Sequence, residues 1–406
     1  MRDAACGMRS DPRGPKPASA APSVATASPI PHPAPRRVAI VHDWLTGMRG
    51  GEKVLEAICE LYPDATLFTL VRVPGSVSET IERLRIRTSF VQRLPRPSRL
   101  YRHYLPLFPI AVEMFDLDGY DLVITSSHCA VKSVITRGDA RHVCYCHSPM
   151  RYAWDQFDAY FGPDQVGRWR SRALRPVLAA LARWDAATAD RVDGFLANSH
   201  YVAGRIRRYY NRGSTVVYPP VDTEFYRPDP GRARSGSGAL VVSALVPYKR
   251  LDLAIEACRR AQVPLRVVGQ GPEEMRLRAL AASADVEFLG WRSNDEIRTL
   301  YRSADAVLLP GTEDFGIVPV EAQACGTPVV ALAAGGALET VVDHVTGLLV
   351  PDADAGMFAD AIRQVTAHPF DCAAIRHHAE RFSTAMFKAT FSAAVNVTPA
   401  HAAAAS

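Results

Sequence analysis

Residues 309–322 read LPGTEDFGIVPVEA, and this stretch indicates how the second half of the chain folds. The apolar run that ends at Leu309 predicts a buried strand, the loop after it holds two acids and Gly316, and a helix follows. Strand, glycine-bearing loop and helix in this order are typical of a parallel α/β unit. Free N–H groups at such a helix start bind anions or sugar hydroxyls. Glu313 and Glu321 are candidate site residues, although taken singly they also fit solvated acids near a helix N-terminus.

The same alternation of apolar strand and helix extends on both sides of this stretch. In the second half the predicted strands are Ala239–Ser243, Leu265–Val268, Val286–Leu289, Ala306–Leu309, Pro328–Ala331 and Gly347–Val350. In the first half they are 38–42, Thr66–Leu70, Asp121–Thr125, His142–Cys146, Gly194–Ala197 and Thr215–Tyr218, with helices expected at Glu52–Leu61 and Val166–Ala189. The pattern predicts an α/β protein with two Rossmann-like domains and ligands at the carboxyl ends of the strands.

Composition shifts set the expected boundaries. The Pro/Gly/Ser stretch Pro228–Gly238 predicts a linker. We expect a disordered tail at 1–36, an N-terminal domain at 37–214, a C-terminal domain at 215–369, closing helices at 370–395 and a disordered end at 396–406. The tail holds 8 prolines and lacks an apolar core typical of a signal peptide, although a transit peptide stays open as an alternative.

The charge distribution separates the two halves. The net charge of +5 is the sum of +10 over residues 1–238, −6 over 239–368 and +1 over 369–406. A basic N-terminal half and an acidic C-terminal half favour different partners for the two domains. No apolar run is long enough to cross a membrane, and the eight scattered cysteines form no C-x-x-C pair, which favours a reducing cytosol over a disulfide or zinc scaffold.

Further candidate residues follow other predicted strands. Lys249 comes after the strand near 239–243, the glycines of 47–51 follow the first strand, and His147 follows His142–Cys146. Asp43 and His128 are weaker candidates, for contact with an acceptor and for a cleft position. Taken singly, each has a plainer interpretation: a solvated lysine at a helix start, a tight turn, or a structural histidine.

The spacing Glu313-x7-Glu321, followed by ACGTPVV at 324–330 and Gly335-Gly336-x2-Glu339, resembles the retaining glycosyltransferases of family 4. The resemblance covers roughly residues 38–395. It implies the GT-B fold, in which two Rossmann-like domains with parallel sheets face each other across a cleft. It also implies that the closing helices return to the N-terminal domain.

The resemblance implies roles for individual residues. Glu313 would contact the donor sugar and Glu321 the nucleotide ribose, while backbone N–H groups near Phe315 and Gly316 would hold sugar or phosphate. Lys249 would neutralise the donor diphosphate. The remaining carried-over positions are Gly50 and Gly51 at the diphosphate and His147 beside the donor sugar.

The chain departs from the family at one position. The family has an arginine five residues before the lysine, where this sequence has Ala244. The resemblance therefore leaves one cation fewer than usual, unless Arg250 or another arginine substitutes.

Metal binding has weak support in the sequence. The triplets Asp116-x-Asp118 and Asp352-x-Asp354 resemble metal-gripping pairs, but both precede a new element and fit turn or helix-capping acids better. We therefore expect no metal and no cofactor, only a nucleotide-sugar co-substrate.

The segment Arg83–Val112 holds seven arginines and no acid, interleaved with aromatic and aliphatic residues. This composition is typical of a protein segment that binds an anionic membrane surface. An ordinary solvated face is an alternative, and so is nucleic acid, although no nucleic-acid-binding motif supports the latter.

The motifs HDWL at 42–45, GGEKVL at 50–55 and VPYKR at 246–250 most resemble bacterial mannosyltransferases of exopolysaccharide and O-antigen assembly. That resemblance implies GDP-mannose as donor and a polyprenyl-diphosphate-linked saccharide as acceptor, on the cytoplasmic face of the cell membrane. The alternatives are UDP-glucose or another sugar nucleotide, a GT-B-fold sugar-nucleotide epimerase, and a non-catalytic adaptor.

Overall fold

The computed structural model describes residues 37–229 and 236–398. The expected tail 1–36 lies outside these ranges, as do residues 230–235 of the expected linker and 399–406 of the expected end. The described residues form two parallel sheets with helices between successive strands. This confirms the predicted fold class of two Rossmann-like domains.

The N-terminal sheet has the strand order β3-β2-β1-β4-β5-β6-β7. Its strands are β1 Val38–Leu45, β2 Thr66–Arg72, β3 Arg85–Thr88, β4 Leu122–Ser127, β5 Arg141–Cys146, β6 Gly194–Ala197 and β7 Thr215–Val216. The sequence did not predict β3, an edge strand in which only Ile86 is apolar. Charged residues on an edge strand prevent pairing with another chain.

The helices of this domain lie between those strands. They are α1 Gly50–Leu61, α2 Glu79–Glu82, α3 Pro97–Leu100, α4 Phe108–Glu113, α5 Arg151–Trp154, α6 Phe157–Phe161, α7 Pro163–Val166, α8 Arg168–Ala187 and α9 His200–Tyr210. Short 3₁₀ turns span Phe90–Arg93, Tyr101–Leu107, Val131–Ser133 and Ala189–Arg191. None of the helices in the described parts of the chain is both long and apolar enough to cross a bilayer.

The C-terminal sheet has the order β10-β9-β8-β11-β12-β13. Its strands are β8 Ala239–Val242, β9 Leu265–Val268, β10 Val286–Gly290, β11 Ala306–Leu309, β12 Val329–Leu332 and β13 Gly347–Val350. The helices are α10 Leu251–Ala261, α11 Glu274–Leu280, α12 Asn294–Ser303, α13 Ile317–Ala324, α14 Ala337–Thr340 and α15 Ala355–Ala367, with 3₁₀ turns at Pro247–Lys249 and Ala281–Ser283.

Two helices close the chain, α16 Cys372–Glu380 and α17 Thr384–Val397. Ala379 and Phe382 belong to a core cluster of the C-terminal domain, whereas Phe387 and Phe391 of α17 pack in the N-terminal core with Leu55. Helix α17 ends at Val397, two residues beyond the expected end at 395, and Val395 is buried in that core.

Both sheets reverse their strand order at equivalent points, between β1 and β4 and between β8 and β11. In open α/β sheets such a reversal leaves a crevice at the carboxyl ends of the strands, and ligands bind there. The loops after β1, β4, β8 and β11 therefore border the candidate site.

Candidate active site

The loop after β11 is held by glycines from the next βα turn. Gly336 donates its N–H to the carbonyl oxygen of Glu313 at 2.8 Å. A Cβ on Gly336 would lie 2.3 Å from the Cα of Phe315, so no larger residue fits. Gly316 has φ +89° and precedes α13, which explains the glycine at that turn. The two-glycine motif at 335–336 therefore fixes the loop that carries Glu313.

Lys249 and Glu313 form an ion pair at the carboxyl edge of this sheet. Lys249 is the last residue of the 3₁₀ turn 247–249. This turn lies close to the loop after β11 because residue 311 is glycine. A Cβ on Gly311 would lie 2.5 Å from the carbonyl oxygen of Tyr248. Both side chains of the pair are mostly buried. Two residues predicted to be catalytic are thus brought together.

Arg250 adopts φ +53° and is the N-cap residue just before α10. Its Nε lies 3.2 Å from Asp252 Oδ1, and the side chain is 43% exposed. The Arg250 side chain therefore contacts its own helix, and its expected role at the donor stays a prediction.

Glu321 lies in α13 and is buried. One carboxylate oxygen accepts a hydrogen bond from Tyr301 Oη at 3.1 Å, and the other lies 2.5 Å from Nζ of Lys53. Lys53 belongs to α1 of the N-terminal domain. Glu321, the residue expected to bind the ribose, therefore forms an ion pair with the opposite domain. Phe315 buries its side chain against Tyr218, and its expected role, a backbone N–H that holds sugar or phosphate, stays a prediction.

Gly50 and Gly51 were expected in a loop, but they are the first two residues of α1. Their N–H groups still belong to a helix N-terminus, where the first donors have no partner within the helix. A Cβ on Gly50 would lie 3.0 Å from Cδ1 of Ile317 in the other domain. A Cβ on Gly51 would lie 3.9 Å from Nε2 of His147. The glycines therefore face both α13 and the histidine.

His147 follows β5, and its Nε2 lies 2.8 Å from the hydroxyl of Ser126. The same hydroxyl lies 3.0 Å from Nδ1 of the buried His42. Burial, and then the nearby His128 and His42, lower the pKa of His147 well below its usual value. At neutral pH its ring is therefore uncharged and can exchange hydrogen bonds with a sugar hydroxyl.

Asp43 does not face an acceptor, and its expected role has to be corrected. The residue is fully buried, and its carboxylate accepts hydrogen bonds from four backbone N–H groups of residues 128–131 at 2.8–3.1 Å. All its acceptor positions serve this loop, so Asp43 fixes the loop and with it His128. The His128 ring is part-exposed and packs against Trp44 with centroids 4.4 Å apart, and its expected place in the cleft stays a prediction.

Sequence reasoning missed several residues that join the domains here. Asp314, next to Glu313, is buried and forms ion pairs with Arg205 and Arg151 of the N-terminal domain. Glu339 accepts hydrogen bonds from the N–H groups of His200 and Tyr201 at 2.9 and 3.0 Å. Helix α9 is thus capped by a carboxylate from the other domain, which complements its dipole. The motif contains Asp314 and Glu339, but no local pattern identifies their distant partners.

One acid of each Asp-x-Asp triplet accepts hydrogen bonds from nearby backbone N–H groups. Asp354 caps α15 by accepting hydrogen bonds from Gly356 N and Met357 N at 2.8 and 3.0 Å. Asp116 accepts from the N–H of Asp118 at 3.2 Å. Across residues 37–229 and 236–398, no group of three or more His, Cys, Asp or Glu side chains is arranged to hold a metal ion.

Comparison with known proteins agrees with this geometry. The profile described as Glycosyltransferase Family 4 matches residues 48–225, and the one described as Glycosyl transferases group 1 matches residues 222–383. The D-inositol 3-phosphate glycosyltransferase of Mycobacterium tuberculosis (strain ATCC 25618 / H37Rv) is 37% identical over 196 residues. That alignment spans 44% of this chain and 40% of the relative, less than half of its length.

Solved structures share the fold at lower identity. HepE of Anabaena, in complex with UDP and glucose, aligns over 88% of this chain and 99% of its own, with 21% identity and a TM-score of 0.66. Sucrose-phosphate synthase from Thermosynechococcus elongatus aligns over 88% and 98%, with 20% identity and a TM-score of 0.61.

The two Rossmann-like domains with parallel sheets, together with the likeness to these structures, place the chain in the GT-B fold class. Within that fold class, the chain matches a family 4 glycosyltransferase profile over residues 48–225, followed by a group 1 glycosyltransferase profile over residues 222–383.

Proposed function

We propose that this protein is a retaining glycosyltransferase that transfers a hexose from a nucleotide sugar to a hydroxyl group. One observation carries the proposal: Lys249 and Glu313 pair at the carboxyl edge of the C-terminal sheet. A cation for the diphosphate and a carboxylate for the sugar are the two groups that donor cleavage needs. Glu321 lies on α13, the helix that follows the same loop, in keeping with a role at the ribose.

The chemistry follows from where charge changes during the reaction. As the anomeric bond breaks, negative charge grows on the leaving diphosphate, and Lys249 together with the N-termini of α1 and α13 stabilises it. The carboxylate of Glu313 stabilises positive charge on the sugar ring. Within residues 37–229 and 236–398, no side chain stands out as a covalent nucleophile. Retention then comes from attack on the face that the diphosphate leaves, with its phosphate oxygen accepting the proton of the hydroxyl.

Arg151 offers a replacement for the cation missing at Ala244. Its guanidinium carbon lies 5.9 Å from the centroid of the Tyr248 ring, and Nζ of Lys249 lies 5.2 Å from the same centroid. Both cations therefore border one aromatic ring beside Glu313.

GDP-mannose is the first donor that we propose, because the motifs around residues 42–55 and 246–250 resemble mannosyltransferases. The complex of HepE with UDP and glucose favours UDP-glucose as the second candidate. A thermal-shift screen of both sugar nucleotides distinguishes them, since a ligand at 100 times its Kd stabilises the protein by about 2.7 kcal/mol. No shift with any sugar nucleotide would contradict the proposed function.

Two substitutions connect the donor to the site. Glu313→Gln preserves the shape of the side chain but removes its charge, so kcat should fall more than KM rises. Lys249→Ala should weaken donor binding and also slow the reaction. Lys388→Ala, an exposed lysine on α17, serves as the control and should change neither. A Lys249→Ala enzyme within about threefold of the parental kcat/KM, roughly 0.7 kcal/mol, would show that another group holds the diphosphate.

The proposed acceptor is a polyprenyl-diphosphate-linked saccharide at the cytoplasmic face of the cell membrane, reached by a peripherally bound enzyme. The arginines of Arg83–Val112 are all exposed. Helix α8 adds an exposed apolar stripe at helical spacing, formed by Trp169, Ala173, Pro176 and Ala180, with Trp169 86% exposed. A groove of about 530 Å³, lined by prolines and by Trp184, runs between this helix and Pro106. An exposed apolar strip and exposed arginines on the same domain favour an anionic lipid surface.

Vesicle binding tests the membrane proposal separately from catalysis. Arg93, Arg96 and Arg99 changed together to Gln should reduce sedimentation with anionic vesicles, since each cation near such a surface adds about 1 kcal/mol. Hydrolysis of the sugar nucleotide should be unaffected. The control changes three exposed arginines of the other domain, Arg259, Arg260 and Arg363. Equal vesicle binding by both triple variants would contradict the membrane proposal.

A further inference from the structure

The loop that carries Glu313 is anchored by the opposite domain. Asp314 is 7% exposed, and its Oδ1 accepts a hydrogen bond from Nη1 of Arg205 at 2.9 Å. Its other carboxylate oxygen pairs with Arg151. Its backbone carbonyl accepts a hydrogen bond from the hydroxyl of Ser199 at 2.6 Å. One residue of the C-terminal domain thus satisfies three donors of the N-terminal domain.

The loop between β6 and α9, which contains Asn198 and Ser199, also holds His147. Asn198 donates its side-chain N–H to the carbonyl oxygen of His147 at 2.9 Å. Ser199, the next residue, caps α9 by accepting a hydrogen bond from Val202 N at 3.0 Å. A continuous path therefore runs from His147 through Asn198 and Ser199 to Asp314, adjacent to Glu313.

We propose that Asp314, Arg205, Ser199 and Asn198 form a clasp that aligns the two halves of the active site. The clasp residues are positioning residues, because they act through Glu313 and His147 and not on the sugar directly. A buried carboxylate with two arginines is stable only while all partners are present, since an unpaired buried charge is costly. The clasp therefore forms only when the domains close, and it presents Glu313 to the sugar in that state. The inference rests on the proposed function.

Asp314→Asn tests the clasp, with Asp155→Asn as the matched control. Asp155 pairs with Nη2 of the same Arg205 at 2.7 Å, but it belongs to the N-terminal domain and does not contact the Glu313 loop. With GDP-mannose and UDP-glucose as donors, Asp314→Asn should lower kcat at least tenfold. The Kd of GDP or UDP should not rise more than threefold, because Lys249 and Glu321 are untouched and Arg151, released from Asp314, stays available to the diphosphate.

Ser199→Ala is a milder variant in case Asp314→Asn folds poorly. Ser293 is its control, since it also caps a helix, accepting from Glu296 N at 3.3 Å, but lies away from the clasp. Both substitutions remove one N-cap, and Ser199→Ala also leaves the carbonyl of Asp314 without its donor, so it should cost somewhat more thermal stability. Only Ser199→Ala should reduce kcat, by threefold or more.

Small-angle scattering of the protein without donor gives a readout independent of turnover. Asp314→Asn should increase the radius of gyration, and Asp155→Asn should not. The clasp would be refuted if Asp314→Asn kept kcat within threefold of the parent, if Asp155→Asn lost as much, or if the radius stayed unchanged. A parent that turns over no sugar nucleotide would instead refute the proposed function, and scattering would still decide on the clasp.

Discussion

Lys132 lies buried behind the loop that carries His128, and its removal should destabilise the protein strongly. Its Nζ lies 3.1 Å from Oδ1 of Asp185, and the two side chains are at most 1% exposed. The second carboxylate oxygen of Asp185 accepts hydrogen bonds from Trp154 Nε1 and Tyr210 Oη at 2.8 and 2.9 Å. Lys132→Met keeps the apolar stem but leaves Asp185 as an unpaired charge in the interior.

The expected cost follows from that burial. Removing one partner of a buried pair typically costs about 3–5 kcal/mol, and each kcal/mol lowers the melting temperature of a domain of this size by roughly 2–4 °C. Lys132→Met should therefore lower the melting temperature, measured by scanning calorimetry, by roughly 6–20 °C.

An exposed lysine provides the control for this measurement. Nζ of Lys388 lies 2.6 Å from Oε2 of Glu60, but the two side chains are 33% and 39% exposed. Water screens such a pair, so Lys388→Met should cost at most about 1 kcal/mol. Equal shifts for the two variants would refute the reasoning from burial.

Three further predictions concern metal, pH and the glycine motif. EDTA should leave donor turnover unchanged; activity lost on chelation and restored by Mg²⁺ or Mn²⁺ would overturn the expectation of a metal-free site. Burial lowers the pKa of His142 from 6.5 to about 4. The unfolded chain then binds this proton more readily, so the free energy of unfolding should fall by roughly 3 kcal/mol for this residue as the pH drops from 6.5 toward 4. The melting temperature should fall with it, and His142→Gln should flatten that slope. Gly336→Ala forces a Cβ against the backbone of Phe315 and should reduce both stability and turnover. Gly204→Ala, in α9 with nothing within 4 Å, should instead stabilise by about 0.5–1 kcal/mol, and equal effects would contradict the steric argument.

Local patterns in the sequence were sufficient to predict the fold class and every strand but one. Strands such as Leu265–Val268 and Ala306–Leu309 lie where the apolar runs predict them, because buried parallel strands need continuous apolar residues. Strand β3 was missed because its arginines face solvent at a sheet edge. Gly50 and Gly51 were expected in a loop because glycine disfavours helix interiors, but the first turn of a helix tolerates them.

The site was predictable where it depends on local motifs and unpredictable where it depends on distant pairs. Lys249 and Glu313 lie together because adjacent strands of one sheet carry them. The role of Asp43 was predicted wrongly because the N–H groups that donate hydrogen bonds to its carboxylate lie 85 or more positions further along the chain. Arg205 lies 109 positions from Asp314, and no spacing in the sequence reveals that the two meet.

Transfer to an acceptor tests the central claim most directly. The purified protein is incubated with GDP-mannose or UDP-glucose and a polyprenyl-diphosphate-linked saccharide, and the product is analysed by mass spectrometry and by NMR of the new linkage. We predict one added hexose with the anomeric configuration of the donor, and loss of that product in Glu313→Gln. An acceptor that gains no hexose while the sugar nucleotide is epimerised, or a product with inverted configuration, would contradict the account.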